Sequence, residues 1–557
     1  MRLRKTDFLY LGAFAIVIAI LVFRCFYGIG LSFSDEFSQP AVVKRFLQGD
    51  RVLIDDWQPA TTLLGFFMSK IVGIFPAGGI SLLGMRIAYV IFQVLVSCIL
   101  LVVLGWKDPT TRIIAIAYLL STPYGIMSIC YNTVAIAGFL IFLALTFGNE
   151  SRNLKRNSFL AGVALAFSVV AIPHVAIIFV LYCLVSIVLA FLHKENAFFS
   201  VRKLIWICLG IMVLFVPFCI SVLMNGTIPE YVTNLHYIFS DPEHNAGIVS
   251  KLFASVYRVI RVYWRAWLPL IVLDGVLIIF RKKNISLQLI YGILCAIIIY
   301  ATIRFAFIYG SISINLMLVP MFFYGLQAIF ILLYIKESLR PYYRELLWLF
   351  AGYLFATCDY LATNTEILSM SAMFIVSAMA SISLNIKLVH HCLEGSKAAK
   401  ISVYSTIAVF ILSQFVLRMT FIWGDASVAE LNKRIEIGLA RGIYTTEENV
   451  REYNMVQDII QEAGLQDSDK VLFVPANPMY YLMSDAEIAS PYVIRFKTSV
   501  EELGYYYSVH DYKFPTKVVI IKGKEDELLE EEAVDYFTSL DYQCNISEED
   551  YIILEHR

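Results

Sequence analysis

The sequence predicts a polytopic all-α membrane protein of about 13 transmembrane helices, ending in a small α/β domain outside the cytoplasm. Three observations carry that expectation. Apolar stretches recur from Phe8 to Phe421, each near the length a helix needs to cross a hydrocarbon core. Only 16% of the 557 residues are Asp, Glu, Lys or Arg, against about a quarter in soluble chains. The composition then changes abruptly at Gly424-Asp425, where polar sequence replaces apolar runs. A net charge of −1, with no basic cluster interleaved with aromatics, gives no sign of a nucleic-acid partner.

The start, Met1-Arg2-Leu3-Arg4-Lys5 followed by the apolar run 8–23, has the outline of a signal peptide. The run is long and no small-residue cleavage site follows it, so it reads as a retained first span. Spans are expected near 8–29, 82–105, 113–129, 131–147, 159–172, 174–192, 204–223, 266–280, 286–303, 311–335, 346–361, 367–389 and 401–421. Alternate loops carry basic clusters such as Lys107/Arg112, Lys155/Arg156 and Arg281/Lys282/Lys283, while the turns near Cys130, Pro173 and Thr363-Asn364 carry none. Basic residues concentrate on the cytoplasmic side. The N-terminus is therefore expected inside and, with an odd number of spans, the tail outside. Most of the ten cysteines fall in the apolar spans without metal or disulfide spacing, and read as core thiols.

The polar mass collects on the outer face, in loops 30–81 and 224–265 and in the tail. The expected organisation is a membrane module, 1–423, and an extracytoplasmic domain, 424–557. Within the tail, helices are expected at 426–440, 447–463, near 477–483 and at 525–540, with strands at 470–474, 517–522 and 551–555. Strands alternating with helices indicate a small α/β fold. It contains no Gly-rich phosphate loop, and no catalysis is assigned to it.

Chemistry is most legible in the first outer loop. Asp35-Glu36 follows the first span, and a second acidic pair, Asp55-Asp56, precedes Trp57-Gln58-Pro59. Carboxylates at a membrane surface can take a proton or hold a metal. Between them, Ser38 with Pro40 signals a helix start. Val42, Val43, Phe46 and Leu47 give that helix an apolar face, and Gly49-Asp50 ends it. It is expected to lie on the membrane surface, with Asp35 and Glu36 just before its N-terminus. A plainer reading stands beside the chemical one: acids near a helix N-terminus are favoured by about 0.3–1 kcal/mol, and loop acids are usually just solvated. His236 and His244 near Asp241 and Glu243 lack the spacing of a metal site, and His174 beside Pro173 reads as a polar turn residue.

The ordered set Ser34-Asp35-Glu36, Arg45-Phe46-Leu47-Gln48-Gly49-Asp50, Trp57-Gln58-Pro59 and Met85-Arg86-Ile87-Ala88 resembles the GT-C superfamily of membrane glycosyltransferases. The likeness is to the branch of protein mannosyltransferases and lipid A aminoarabinose transferases. It covers residues 1–90 by motif and the remainder by architecture. It implies a sugar donor carried on a polyprenyl phosphate and an acceptor (lipid, envelope polymer or protein) deprotonated on the outer face. Asp35, with Glu36 beside it, takes the place of the catalytic base or metal ligand. The leaving phosphate needs a cation, for which Arg86, Arg304 and Arg258 are the candidates. Arg86 and Arg304 also read as snorkelling residues, and Arg258, Arg261 and Arg265 as an interfacial helix. The sequence departs from the pattern in two places. Asn132 stands where a second acid is expected, and the basic-Pro-Pro-Leu stretch late in the first loop is missing, where Asp55 or Asp56 could compensate. The metal is therefore unassigned, a divalent ion being one option.

Two other readings remain open at this point. A non-enzymatic transporter of lipid-linked glycan, or an envelope scaffold, would carry functional charges deep in its spans; Asp274, Asp359 and Arg304 are the few present. An inactive relative whose tail binds a partner is the third reading.

Overall fold

The computed structural model describes residues 5–58, 61–73, 81–148, 153–239, 248–280, 286–308, 310–363, 367–494, 499–523 and 527–556. Pro59, Asp241, Glu243, His244, the basic cluster at 281–283 and Asn364 lie outside them, and so does the side chain of His236.

The membrane part contains α1 (Lys5–Phe26), α2 (Asp35–Leu47), α3 (Thr62–Val72), α4 (Leu82–Leu104), α5 (Pro109–Leu120), α6 (Tyr131–Phe147), α7 (Leu154–Ala171), α8 (Ala176–Phe191), α9 (Val201–Leu223), α10 (Ile228–Phe239), α11 (Ile248–Val262), α12 (Trp264–Ile279), α13 (Leu287–Phe307), α14 (Ser313–Leu316), α15 (Leu318–Tyr334), α16 (Tyr343–Thr363), α17 (Ile367–Met373), α18 (Ile375–Cys392) and α19 (Lys397–Thr420). Local chemistry sets several starts. Ser81, Ser200 and Ser396 cap α4, α9 and α19 through their hydroxyls, and Asp108 caps α5 with Pro109 in its first turn.

Nine described helical segments are long and apolar enough to cross a bilayer, or ten if α11 and α12, bent by 79°, count as one crossing. The expected count of about 13 included shorter segments. The span expected over 113–129 ends at Leu120, because Pro123 disfavours helical backbone just before it, and Tyr124 turns to a φ of +56°. Helices α7 and α9 meet backbone to backbone at two glycines. A Cβ on Gly162 of α7 would collide with the Ile207 carbonyl of α9, and a Cβ on Gly210 of α9 with the Phe159 carbonyl of α7. Such close approach lets helices pack through van der Waals contact where lipid supplies no hydrophobic drive. The segment Met370–Cys392 is almost wholly buried and forms the centre of the bundle.

The tail folds as β1 (Lys433–Arg434), β2 (Tyr444–Thr445), α20 (Glu447–Glu462), β3 (Lys470–Val474), α21 (Pro478–Met483), β4 (Glu487–Ile488), α22 (Val500–Val509), β5 (Lys517–Ile521), α23 (Glu527–Ser539), β6 (Tyr542–Ser547) and β7 (Tyr551–His556). Five strands form one sheet in the order β4-β3-β5-β7-β6, parallel across β4, β3 and β5 and antiparallel at β5–β7–β6. The chain is therefore an all-α membrane bundle with a small α/β unit. The helix expected over 426–440 does not form. A 3-10 turn, β1 and loops replace it, since Gly424 and Gly438 take φ of +71° and +72°.

The α/β unit grips the membrane part along the α1–α2 linker and the first loop. Gly30 N donates to Tyr444 O at 2.7 Å, and Tyr444 N to Gly28 O at 2.6 Å. Gly30 has φ +85°, and a Cβ there would strike Ile422. Asp425 fastens the same linker, accepting from Leu31 N at 2.7 Å and from Thr445 Oγ1 at 2.6 Å.

Candidate functional site

The first-loop helix differs from its expected setting. α2 begins at Asp35 rather than at Ser38, so both acids occupy its first turn. Nine of its residues are buried, Arg45 among them, because α2 is packed between α3 and α21. It is an internal strut of the domain-bearing face and not a helix lying on a membrane. Its Val42, Phe46 and Phe37 join one apolar core with Tyr480, Tyr481 and Ile488 of the α/β unit.

The adjacent acids Asp35 and Glu36 have different partners. Glu36 is buried and makes a two-point ion pair with Arg86, Oε1 to Nε at 2.7 Å and Oε2 to Nη2 at 2.8 Å. Arg86 also donates to the carbonyls of Gly30 at 2.7 Å and Ile29 at 3.2 Å. Glu36 and Arg86 thus lock the end of α1, the linker and α4 together. Asp35 is half-buried, and its Oδ2 accepts the indole N–H of Trp423 at 2.5 Å. Among the described residues its Oδ1 makes no hydrogen bond. Trp423 packs on Tyr124 at 5.2 Å, and Tyr124 N donates to Asn315 Oδ1 at 3.0 Å, so a line of contacts runs from Asp35 into the bundle. Burial pushes the Asp35 carboxyl above the ordinary carboxylate range, and the Trp423 N–H, which favours the charged form, pulls it partly back. Its place in the first turn of α2 also favours ionisation.

The second acidic pair joins the first loop to the α/β unit. Arg45, fully buried, bonds Asp50 at 2.8 Å, Asp56 at 3.0 Å and the carbonyls of Asp55 at 2.6 Å and Ser490 at 2.9 Å. Asp56 also accepts from Thr62 Oγ1 at 2.7 Å and Gln58 N at 3.2 Å. Lys513 reaches Asp50 from the α/β unit. Asp55 accepts from Arg51 N at 2.7 Å, from the Arg51 guanidinium at 3.3 Å and from the Tyr512 hydroxyl. Beside it, Trp57 Nε1 donates to Asn234 Oδ1 of α10 at 2.8 Å, and the ring stacks on Tyr237 at 4.9 Å. His510 bonds the same Asn234 oxygen at 3.1 Å and Tyr512 at 3.2 Å. All four carboxylate oxygens of Asp55 and Asp56 are engaged, and the geometry is that of a three-way joint.

The three candidate cations do not converge. Arg86 has spent four of its five donors on Glu36, Gly30 and Ile29. Arg258 lies 5.9 Å from the Tyr360 ring, with its Nη1 buried and unbonded among the described residues. Arg304 sits half-buried in the last turn of α13. Two other arginines are closer to the acids. Arg24 ends α1 and Arg418 ends α19, only 3% and 2% exposed, and both interact electrostatically with the Glu36–Arg86 region or with each other. A cation in the last turn of a helix gains about 0.3–1 kcal/mol from the macrodipole. Burying an unpaired ion costs several kcal/mol, so the helix ends alone do not account for this pair. Sequence reasoning missed both, and missed Trp423, since a lone Arg or Trp at the end of a span reads as an interfacial anchor.

A divalent metal does not fit these acids. Glu36 would have to release Arg86, and Asp56 would have to release Arg45. Asn132, in the first turn of α6, offers only a neutral amide oxygen, buried and unbonded among the described residues. No group of three or more His, Cys, Asp or Glu side chains arranged to hold a metal occurs among the described residues.

No protein-family model and no curated protein matches the chain. Among the solved structures similar to it are two membrane proteins. One is ArnT from Cupriavidus metallidurans bound to undecaprenyl phosphate, 12% identical over 99% of this chain and 98% of that one, with a TM-score of 0.46. The other is the archaeal oligosaccharyltransferase AglB from Archaeoglobus fulgidus, in complex with an inhibitory peptide and a dolichol-phosphate. It is 11% identical over 93% of this chain and 70% of that one, with a TM-score of 0.41.

Proposed function

We propose that this chain is a membrane glycosyltransferase of the GT-C type, moving a sugar from a polyprenyl-phosphate-linked donor to a lipid, envelope-polymer or protein acceptor. One observation carries the reading: of the five first-loop acids, among the described residues Asp35 alone keeps a carboxylate oxygen without a hydrogen bond, while Glu36, Asp50, Asp55 and Asp56 are fully engaged. It stands in the ordered first-loop pattern that resembles this superfamily, at the position of the base.

The chemistry follows from what Asp35 can do. The acceptor hydroxyl gives its proton to Asp35 Oδ1, and its oxygen attacks the anomeric carbon. The bond from that carbon to the phosphate oxygen breaks, the electron pair leaves with the lipid phosphate, and the anomeric configuration inverts. General-base assistance of this kind contributes about 10²–10⁴-fold. The raised pKa makes Asp35 a stronger base than a solvated carboxylate. Glu36 is assigned to positioning, since it fixes the first turn of α2 through Arg86. We place the reaction on the extracytoplasmic face, with the N-terminus cytoplasmic, from the distribution of basic loops. The division at 423/424 follows the change in composition.

The test is Asp35→Asn in the full chain, purified in nanodiscs. Transfer from a polyprenyl-phosphate sugar should fall by about 10²-fold or more. Thermal stability should hold or rise. The native pKa lies above the unfolded value, so the ionised carboxylate is a net cost at neutral pH, and Asn removes that cost. Unchanged transfer at unchanged stability removes Asp35 from the base role.

A further inference from the structure

We infer that Arg24 and Arg418 form an anion subsite that takes the phosphate of a lipid phosphoester at the depth of the Asp35 face. Within the proposed transferase reading, it assigns the leaving group to residues that none of the sequence motifs contains.

Several guanidinium donors here lack acceptors among the described residues. Nη1 of Arg24 and both Nε and Nη2 of Arg418 are buried and bond nothing among the described residues. Arg418 places Nη1 on the carbonyls of Leu119 at 2.9 Å and Leu120 at 3.2 Å at the end of α5, and its guanidinium also interacts with the Tyr89 hydroxyl. The two guanidinium groups repel each other, and Glu36, the acid that acts on Arg24, has both its oxygens on Arg86. Like charges buried together with little counter-charge are costly, and an anion between them offsets that cost. Guanidinium forks match the oxygens of a phosphate.

The position suits a lipid headgroup. Arg24 lies in the last turn of α1 and Arg418 in the last turn of α19, and those two helix ends lead directly to Asp35 and to Trp423. Beside the Leu119 and Leu120 carbonyls that Arg418 holds is a small cavity, with room for about one water, lined in part by Gln93, Tyr118, Ser121, Asn315 and Gln414. Each of these five also holds a buried polar atom unbonded among the described residues. Gln414 is one turn before Arg418 on the same helix face, and Gln93 bonds Tyr89, which in turn bonds Thr122 at 3.1 Å. The cavity thus gathers buried polar groups that lack partners within a turn of Arg418. Asn315 also ties it to Asp35 through Tyr124 and Trp423.

The experiment compares wild type, Arg24→Gln, Arg418→Gln and the charge-keeping Arg24→Lys and Arg418→Lys, as full chains in nanodiscs. Native mass spectrometry reads the binding of undecaprenyl phosphate. Inorganic phosphate is the second probe, and lipid-free melting temperature the third measurement. The Gln variants should bind undecaprenyl phosphate about tenfold more weakly or worse, at equal or higher melting temperature, while the Lys variants retain most of the binding. Undiminished binding in the Gln variants overturns the subsite, and so does a fall in melting temperature with binding unchanged, which marks a structural role on Leu119 and Leu120. Should a Gln variant fail to fold, full binding in its Lys counterpart and none of the expected graded loss across the set has the same consequence. Loss of inorganic phosphate alone, with lipid binding intact, overturns the lipid assignment. The two proposals fail separately: Asp35→Asn abolishing transfer while the arginine variants bind normally removes only the subsite. The converse result, weakened binding in the arginine variants with normal transfer by Asp35→Asn, removes only the base.

Discussion

The indole N–H of Trp423 donates to Oδ2 of Asp35 at 2.5 Å, across 388 positions of sequence. The bond ties the first-loop acid to the segment that leaves the last membrane helix. It orients the carboxylate, with Oδ1 left for a substrate proton. A hydrogen bond to the charged form is also what restrains the upward push of burial on this carboxyl.

Trp423→Phe keeps an aromatic ring against Tyr124 and removes that donor. The Asp35 carboxyl then moves further above its ordinary range, so the acid limb of the rate–pH profile shifts to higher pH. Activity at neutral pH falls while activity at alkaline pH recovers toward wild type. A profile superimposable on that of wild type would separate Trp423 from the ionisation of Asp35.

Glu36→Gln should cost about 3–5 kcal/mol, because it leaves Arg86 charged and buried without its partner. The double variant Glu36→Gln with Arg86→Met removes the charge and should regain much of that loss in thermal melts. Catalysis should not return with stability, because the pair holds Gly30 and the first turn of α2 in place. A double variant no more stable than Glu36→Gln contradicts this account. One that is fully active contradicts the positioning role.

Arg45→Met, by the same logic, strands Asp50 and Asp56, both buried, although Lys513 still reaches Asp50. The expected loss is about 3–5 kcal/mol, seen as release of the α/β unit. Limited proteolysis measures it: cleavage should appear between Phe421 and Thr445, where wild type resists. Continued resistance would mean that the apolar contacts of Phe37, Phe46 and Tyr480 hold the joint unaided.

The bundle was legible because apolar length is a one-dimensional signal, and the strands at 470–474 and 517–522 because β-branched runs bounded by turns are another. Asp35 was legible only through the order of residues around it, since an acid before a helix has a plain explanation of its own. Arg45, read as the polar side of a surface helix, is fully buried together with Asp56. Its partners at 490 and 491 belong to a distant segment, and periodicity within α2 carries no trace of them. Trp423, Arg24 and Arg418 were hidden for the same reason: each sits at a helix end, where sequence alone gives an amphipathic residue a sufficient role. The short strand β4 and helix α22 were missed because two residues and ten residues of mixed polarity give too little pattern.

His510 makes the three-way joint pH-sensitive. It is buried between Asn234, Tyr512 and Trp57, and burial holds its pKa below the ordinary value, with Asp55 opposing more weakly. The sign follows from proton counting. An unfolded chain takes up a proton on this ring near about pH 6.5, whereas the folded chain does so only at lower pH. The unfolded state therefore binds more protons in that window, and stability falls as pH drops through it. Above about pH 6.5 the contribution is complete. Melting temperature should thus decline from neutral toward mildly acidic buffer, with increased proteolysis of the α/β unit. His510→Gln keeps a hydrogen-bonding side chain but cannot take the proton, so its acid slope should be shallower. Equal slopes for the two proteins would place the acid sensitivity elsewhere, in the carboxylates of the Arg45 network.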